Sequence, residues 1–190
     1  RVVLTNAYGT SPITIGAAQI ALREKDAAVQ PASSRPLTFS GMSTITIPAG
    51  AVMYSDPVNL TVPQMADLAI DLYLPGNTNS PSPLTLHNTA LQTNYISETG
   101  NHVGKATLPT AGRIQNWFLL SRVDVVAPDA VGVVVTFGDS ITDGTRSTPD
   151  TNNRWPDHLA RRLLASPSLK LGVVNMGIGG NRVIGDGTFT

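Results

Sequence analysis

The chain has 190 residues, 13 basic and 13 acidic side chains and no cysteine, so its formal net charge is zero. Charged residues make up 14% of the chain, against roughly 25% in an average soluble domain. Nucleic-acid binding is disfavoured because there is no surplus of basic residues, and no apolar run is long enough to span a membrane. A chain without cysteine has no disulfide scaffold, no thiol nucleophile and no Cys-based metal site.

The first 122 residues consist of short β-type runs separated by Gly, Pro, Ser and Asn. Each run carries β-branched residues or alternates apolar and polar side chains. The predicted strands cover residues 2–4, 13–15, 17–22, 43–47, 58–62, 69–74, 89–97 and 117–126. Many short strands with turn signals between them are typical of a β-sandwich or a jelly roll. The sequence therefore predicts an all-β sandwich or jelly-roll domain over residues 1–122, followed by a linker at 123–130.

Residues 131–190 have a different character. The continuous β-branched run 131–137 is typical of a strand buried on both faces of a parallel sheet. A helix is predicted over 156–165, where Pro156 suits the first turn and Pro167 blocks continuation. A second strand is predicted at 171–176. A strand–helix–strand unit pairs its strands in parallel, so this region is predicted to be α/β.

A polar, glycine-containing loop follows each of the two predicted strands. Ser140 lies in G-D-S-I-T directly after the first strand, and the second strand ends in N-M-G-I-G-G-N at 175–181. Because the carboxyl ends of parallel strands meet at one edge of a sheet, we expect both loops to lie there. The backbone N–H groups of Ser140 and Gly180 are then expected to point at one spot. Two convergent donors of this kind form an oxyanion hole.

The stretches V-V-T-F-G-D-S-I-T-D-G, N-N-R-W-P-D-H-L-A-R-R-L and V-V-N-M-G-I-G-G-N-R-V resemble the SGNH, or GDSL-type, serine hydrolases. The resemblance implies a three-layer, flavodoxin-like α/β domain, of which residues 131–190 form the first βαβ part. It also implies similarity to family members that have an N-terminal β-sandwich domain, which fits residues 1–122. It implies that Ser140 is the nucleophile, that the N–H groups of Ser140 and Gly180 line the oxyanion hole, and that Asp139 supports the loop. The implied activity is that of a lipase-like esterase or acetylesterase without metal or cofactor. Its substrate would be an acyl ester of a small molecule or carbohydrate.

Two blocks of that family have no counterpart in this sequence. One is G-x-N-D, which provides an oxyanion-hole asparagine, and the other is D-x-x-H, which provides the catalytic Asp and His. A serine hydroxyl needs a general base within hydrogen-bond reach. We therefore expect a further C-terminal segment of the same protein to supply these groups, and we expect negligible esterase activity from the 190 residues alone. A secreted or periplasmic location is expected, since the absence of cysteine is compatible with export.

Three histidines are candidates for the missing base, namely His87, His102 and His158. No carboxylate stands at a recognisable spacing to orient any of them, so ordinary surface or loop roles are favoured. One alternative is a self-sufficient hydrolase that uses His158 or His87. Another is a carbohydrate-binding β-sandwich module beside an inactive hydrolase remnant, although only 5% of the residues are aromatic. Asp143 and Asp150 are interpreted as turn and capping carboxylates.

Overall fold

The computed structural model describes residues 1–76, 81–128, 130–166 and 168–185. The chain divides into two compact units. Unit 1 comprises Arg1–Asn88 and Asn94–Val125, and unit 2 comprises Thr89–Thr93 and Val126–Thr190. The domain boundaries predicted from the sequence stay a prediction. Pro167, which we predicted to block continuation of the helix, lies outside the described residues.

Unit 1 is built from short antiparallel strands with a single 3₁₀ turn, Pro31–Ser33, among its described residues. The strands are β1 (Val2–Thr5), β2 (Ile13–Ile15), β3 (Ala17–Lys25), β4 (Ala28–Val29), β5 (Arg35–Pro36), β6 (Ile45–Ile47), β7 (Val52–Tyr54), β8 (Leu68–Tyr73), β9 (Leu86–His87), β10 (Asn94–Ser97), β11 (Thr110–Ile114), β12 (Trp117–Phe118) and β13 (Leu120–Val123). A three-stranded sheet has the order β13–β1–β7, and β3 pairs with β4, β5 and β8 in a four-stranded sheet. The remaining strands form the pairs β2–β6, β9–β12 and β10–β11.

One hydrophobic core serves both of the larger sheets. Strand β1 contributes Val2 and Leu4, and strand β3 contributes Ala18 and Ile20. The other members are Ile15, Leu37, Phe39, Ile47 and Leu119, and every member is buried. Sheets that share a core in this way are stabilised chiefly by apolar burial. The prediction of a strand-rich first region is confirmed, whereas its arrangement as a sandwich or jelly roll stays a prediction.

Three of the predicted strands, 58–62, 89–97 and 117–126, differ from the structure. Residues 58–62 form no strand, although the segment alternates apolar and polar side chains. Val58 and Leu60 nevertheless pack against the core. The predicted strand 117–126 breaks into β12 and β13 at Leu119, which is buried and has φ = 59°. Of residues 89–97, the part that pairs is β10, Asn94–Ser97.

Unit 2 contains β14 (Gly132–Gly138), α1 (Ser140–Asp143), α2 (Trp155–Leu164) and β15 (Leu171–Gly177). The two strands are parallel and in register from Gly132 opposite Leu171 to Gly138 opposite Gly177. The predicted strand–helix–strand unit is therefore confirmed, while the complete three-layer, flavodoxin-like domain stays a prediction. No helix within the described ranges is long and apolar enough to cross a bilayer.

The prediction that the first strand of this sheet is buried on both faces is wrong. The side chains of Val133 and Val135 are each 59% exposed, and that of Phe137 is 72% exposed. These alternate positions share one face of β14, and no described residue covers that face. Thr136 lies on the opposite face and is buried. The β-branched composition therefore predicted the strand correctly but not its environment.

Candidate functional site

Ser140 is the first residue of α1, a short helix that begins two residues after β14 ends. The carboxylate of Asp139 accepts a hydrogen bond from the Ile141 N–H at 3.0 Å and so caps the helix. The Asp139 carbonyl accepts a second bond, from the Asp143 N–H at 2.9 Å. At the other end the Gly144 N–H donates to the Ser140 carbonyl at 3.0 Å. The turn that presents Ser140 is thus fixed by hydrogen bonds at both ends.

The loop after β15 lies directly against this turn. The Ile178 N–H donates to the Gly138 carbonyl at 3.0 Å, and the Asn181 side-chain amide approaches the same oxygen at 3.4 Å. Gly177 packs so closely against the turn that a Cβ there would lie 2.2 Å from the backbone nitrogen of Asp143. A glycine is therefore needed at position 177 for the two loops to meet. The structure brings together the loops that carry Ser140 and Gly180.

Asn175 makes a second connection between the two strand ends. Its side-chain Nδ2 donates to the Thr142 carbonyl at 2.8 Å, while its Oδ1 accepts the Gly177 N–H at 2.9 Å. Thr142 itself is buried, and its Oγ1 occupies the space that a Cβ on Gly138 would need. No role was predicted for Asn175 or Thr142 from the sequence. Both lie inside the quoted blocks, so their polar character was the available signal.

The donor groups that an oxyanion hole requires are not engaged within the described part of the chain. There, neither the Ser140 N–H nor the Gly180 N–H donates a hydrogen bond, and the Ser140 hydroxyl has no hydrogen-bond partner. Gly180 has φ = 82°, a left-handed conformation that favours glycine. Ser140 is partly exposed and Gly180 is exposed. Both N–H groups therefore remain available to a ligand.

Arg154 lies in the stretch N-N-R-W-P-D-H-L-A-R-R-L, and no role was predicted for this arginine from the sequence. In the structure its side chain positions neighbouring segments. Its Nε donates to the Asp143 carbonyl at 2.9 Å, and another guanidinium nitrogen donates to the Ala90 carbonyl. Its own N–H donates to the Asp157 carboxylate at 2.9 Å, at the start of α2. Gly144 makes room for this side chain, because a Cβ at that position would lie 2.5 Å from the Arg154 Cγ. Arg154 therefore links the end of α1 to the start of α2 and to segment Thr89–Thr93.

Asp150 holds the same segment from another side. Its carboxylate accepts the Thr93 N–H at 2.5 Å and the Thr93 hydroxyl at 2.6 Å, and its N–H donates to the Leu91 carbonyl at 3.0 Å. These bonds connect Thr89–Thr93, which we predicted as part of a strand over 89–97, to the rest of unit 2. The interpretation of Asp150 as a structural carboxylate agrees with these contacts.

None of the three histidines is hydrogen-bonded to Ser140 in the described structure. His158 lies exposed on α2. His87 packs edge-to-face on Trp117, with ring centroids 5.5 Å apart, and His102 Nε2 lies 3.3 Å from the Thr99 carbonyl. Among the described residues no group of His, Asp and Glu could hold a metal ion. The site therefore combines a partly exposed serine with available backbone donors, and no described histidine is hydrogen-bonded to that serine.

Residues 134–188 match the family model described as GDSL-like lipase/acylhydrolase. The matched segment begins in β14 and includes Asp139, Ser140 and Gly180. No curated protein matches the chain. The family match supports, over these residues, the resemblance drawn from the three sequence blocks.

Proposed function

We propose that this chain carries the nucleophile and part of the oxyanion hole of a serine ester hydrolase. The observation that carries the proposal is the 3.0 Å hydrogen bond from the Ile178 N–H to the Gly138 carbonyl, because it joins the loop of Ser140 to the loop of Gly180. The available N–H groups of Ser140 and Gly180 support the same assignment. So does the similarity of residues 134–188 to GDSL-like lipases and acylhydrolases.

In the proposed reaction the Ser140 Oγ attacks the carbonyl carbon of an ester and gives its proton to a general base. The N–H groups of Ser140 and Gly180 donate to the oxyanion of the tetrahedral intermediate. Its collapse breaks the C–O bond to the leaving alcohol, which takes the proton from the base, and an acyl-serine remains. The base then deprotonates water, which attacks the acyl group, releases the acid and restores the Ser140 hydroxyl. Asp139 acts through the loop by capping α1.

The general base, its orienting carboxylate and a further oxyanion-hole asparagine are proposed to come from a C-terminal segment outside these 190 residues. The proposal is supported by the Ser140 hydroxyl, which has no hydrogen-bond partner among the described residues. An acyl or acetyl ester of a small molecule or carbohydrate is the proposed substrate class. That choice rests on the family resemblance alone.

A fluorophosphonate probe tests the nucleophile directly, because it forms a stable bond with an activated serine. We expect the full-length polypeptide to be labelled, and we expect Ser140→Ala to abolish the labelling. Ser147→Ala is the matched control, since Ser147 lies in the same unit beyond the turn that presents Ser140. Labelling that survives Ser140→Ala would contradict the assignment.

The proposed source of the base has its own test. We expect the 190-residue chain alone to hydrolyse p-nitrophenyl acetate no faster than its Ser140→Ala variant. If the 190-residue chain does hydrolyse the ester, and His158→Ala or His87→Ala abolishes that activity, the self-sufficient alternative is favoured instead.

A further inference from the structure

An open cleft of about 370 Å³ lies within unit 1 between two hairpins. One wall is the turn between β3 and β4, with Lys25 and Asp26, and the other is the β10–β11 pair, with Tyr95 and Arg113. This volume falls in the range of about 300–1,000 Å³ that is usual for small-molecule sites. It exceeds what a single inorganic anion fills.

The cleft is formed before any ligand binds, because backbone hydrogen bonds join its walls. The Val29 N–H donates to the Ala106 carbonyl at 2.9 Å, and the Leu108 N–H donates to the Ala27 carbonyl at 3.1 Å. An antiparallel bridge between Ala28 and Thr107 lies between these two bonds. A ligand therefore does not have to order these walls when it enters.

The charged groups of the cleft leave one positive charge in excess. Lys25 and Arg113 form no ion pair with any described residue, and Asp26 is the one carboxylate in the lining. Arg113 lies directly opposite Tyr95 in the β10–β11 register, and its guanidinium carbon is 5.8 Å from the centre of the tyrosine ring. A guanidinium presents several N–H donors in a planar fork, a geometry that suits a carboxylate.

Two threonines add hydroxyl groups to the same lining. Thr107 and Thr110 are both exposed there. The Thr110 hydroxyl donates to the Leu108 carbonyl at 3.1 Å, which leaves its oxygen free to accept a hydrogen bond. A guanidinium, an ammonium group, an aromatic ring and two hydroxyls together match a ligand that carries both carboxylate and hydroxyl groups.

We propose that this cleft binds an acidic saccharide, with the carboxylate of a uronic acid on Arg113 and Lys25 and the sugar hydroxyls on Thr107 and Thr110. The site belongs wholly to unit 1 and does not depend on the reaction proposed for Ser140.

Isothermal titration of the full-length polypeptide with a trisaccharide of glucuronic acid tests the proposal. We expect saturable binding that Arg113→Met weakens at least about tenfold, since one charge-assisted bidentate contact is lost. Arg113→Lys should retain part of the affinity. Lys170→Met removes a positive charge from unit 2 and should leave the affinity unchanged.

Two further ligands identify what the cleft recognises. The carboxyl-reduced trisaccharide should bind at least about tenfold more weakly than the acid, because the charge is gone and the hydroxyls remain. Inorganic phosphate should not compete with the acidic trisaccharide at equal concentration. Absence of saturable binding, equal binding of the reduced sugar, effective competition by phosphate, or normal binding by Arg113→Met in a protein with an unchanged circular dichroism spectrum would each overturn the proposal.

Discussion

Different interactions stabilise unit 1 and unit 2 internally. Unit 1 surrounds a core of apolar side chains such as Val2, Leu4 and Ile15, which are fully buried. In the described part of unit 2 the buried apolar side chains are those of Ala90 and Pro156. Unit 2 is held instead by its parallel strand pair and by polar contacts such as those of Arg154 and Asn175. The residues proposed for catalysis thus lie in the unit with less apolar burial.

The sheet of unit 2 also exposes a continuous apolar face. It consists of Val133, Val135 and Phe137 on β14 with Val174 and Met176 on β15, which are adjacent in the strand register. Parallel sheets are nearly always covered on both faces. The loops that approach each other at the strand ends are nevertheless fixed by hydrogen bonds that need no such cover. In the described part of unit 2, hydrogen bonds connect the loops at the strand ends while one face of the sheet is exposed.

One substitution in each unit tests the difference in apolar burial between them, and the loss of stability in unit 1 should be the largest effect. Leu4→Ala in unit 1 should lower the free energy of unfolding by about 2–5 kcal/mol, because it removes a fully buried side chain and leaves a cavity. Val135→Thr in unit 2 keeps the β-branched shape at a position that is 59% exposed and should cost less than about 0.5 kcal/mol. Urea denaturation of each variant measures both. Equal losses would contradict the contrast between the units.

A pair of glycines in β15 tests the contact between the two loops. Gly177→Ala places a Cβ against the backbone of Asp143 and should destabilise unit 2 by about 1–3 kcal/mol. Fluorophosphonate labelling of the full-length polypeptide should slow at the same time. Gly172→Ala is the control, since a Cβ there would meet no atom within 4 Å. If both variants retained wild-type stability and labelling, close packing at Gly177 would not be what joins the loops.

Arg154→Met tests whether polar contacts hold the turn of Ser140. The variant loses the hydrogen bonds to the Asp143 and Ala90 carbonyls and should cost about 1–3 kcal/mol. Hydrogen exchange at the Gly144 and Thr145 amides, which close the turn, should accelerate. Arg162→Met on the same helix is the control, because Arg162 is exposed and makes no such bonds with described residues. Unchanged exchange in Arg154→Met would remove Arg154 from this role.

The smallest effect is a pH dependence in unit 1. Hydrogen bonds from the Gly41 N–H, the Thr38 hydroxyl and the Ser40 N–H hold the pKa of Asp56 below its ordinary value of 3.8. A lowered pKa in the folded state contributes stability above the unfolded pKa, and this contribution is lost as the pH falls through the folded pKa.

Asp56→Asn should therefore reduce stability near neutral pH and flatten the loss of stability below about pH 4. Urea denaturation over a series of pH values measures this slope. Asp26→Asn is the control, because the Asp26 carboxylate accepts no hydrogen bond from a described residue. An acid slope that Asp56→Asn leaves unchanged would assign the pH dependence to other carboxylates.

The parts of unit 2 that the sequence predicted well are those with local signals. The β-branched run of β14, the proline at the start of α2 and the glycine-rich end of β15 each identify an element from neighbouring residues. The contact of Arg154 with Ala90 joins residues 64 positions apart, and no local pattern indicates it. The exposure of Phe137 was missed for a related reason, since composition shows a strand but not what covers it.

Unit 1 was harder to predict because its strands are short and its register irregular. Residues 58–62 alternate apolar and polar side chains like a strand, yet they form no strand. Val58 and Leu60 pack against the core from this irregular segment. Strand β11 was missed because T-A-G-R-I has no clear alternation. The cleft between the hairpins depends on pairings between distant segments, such as Ala28 with Thr107.

The central claim is that the loops of Ser140 and Gly180 form one oxyanion hole, and a crystal structure of the full-length polypeptide inactivated by a phosphonate tests it most directly. We predict a bond from phosphorus to the Ser140 Oγ. We also predict the phosphoryl oxygen at about 2.7–3.1 Å from the N–H nitrogens of both Ser140 and Gly180. Phosphorus bound to another residue, or a phosphoryl oxygen that contacts neither N–H group, would contradict it.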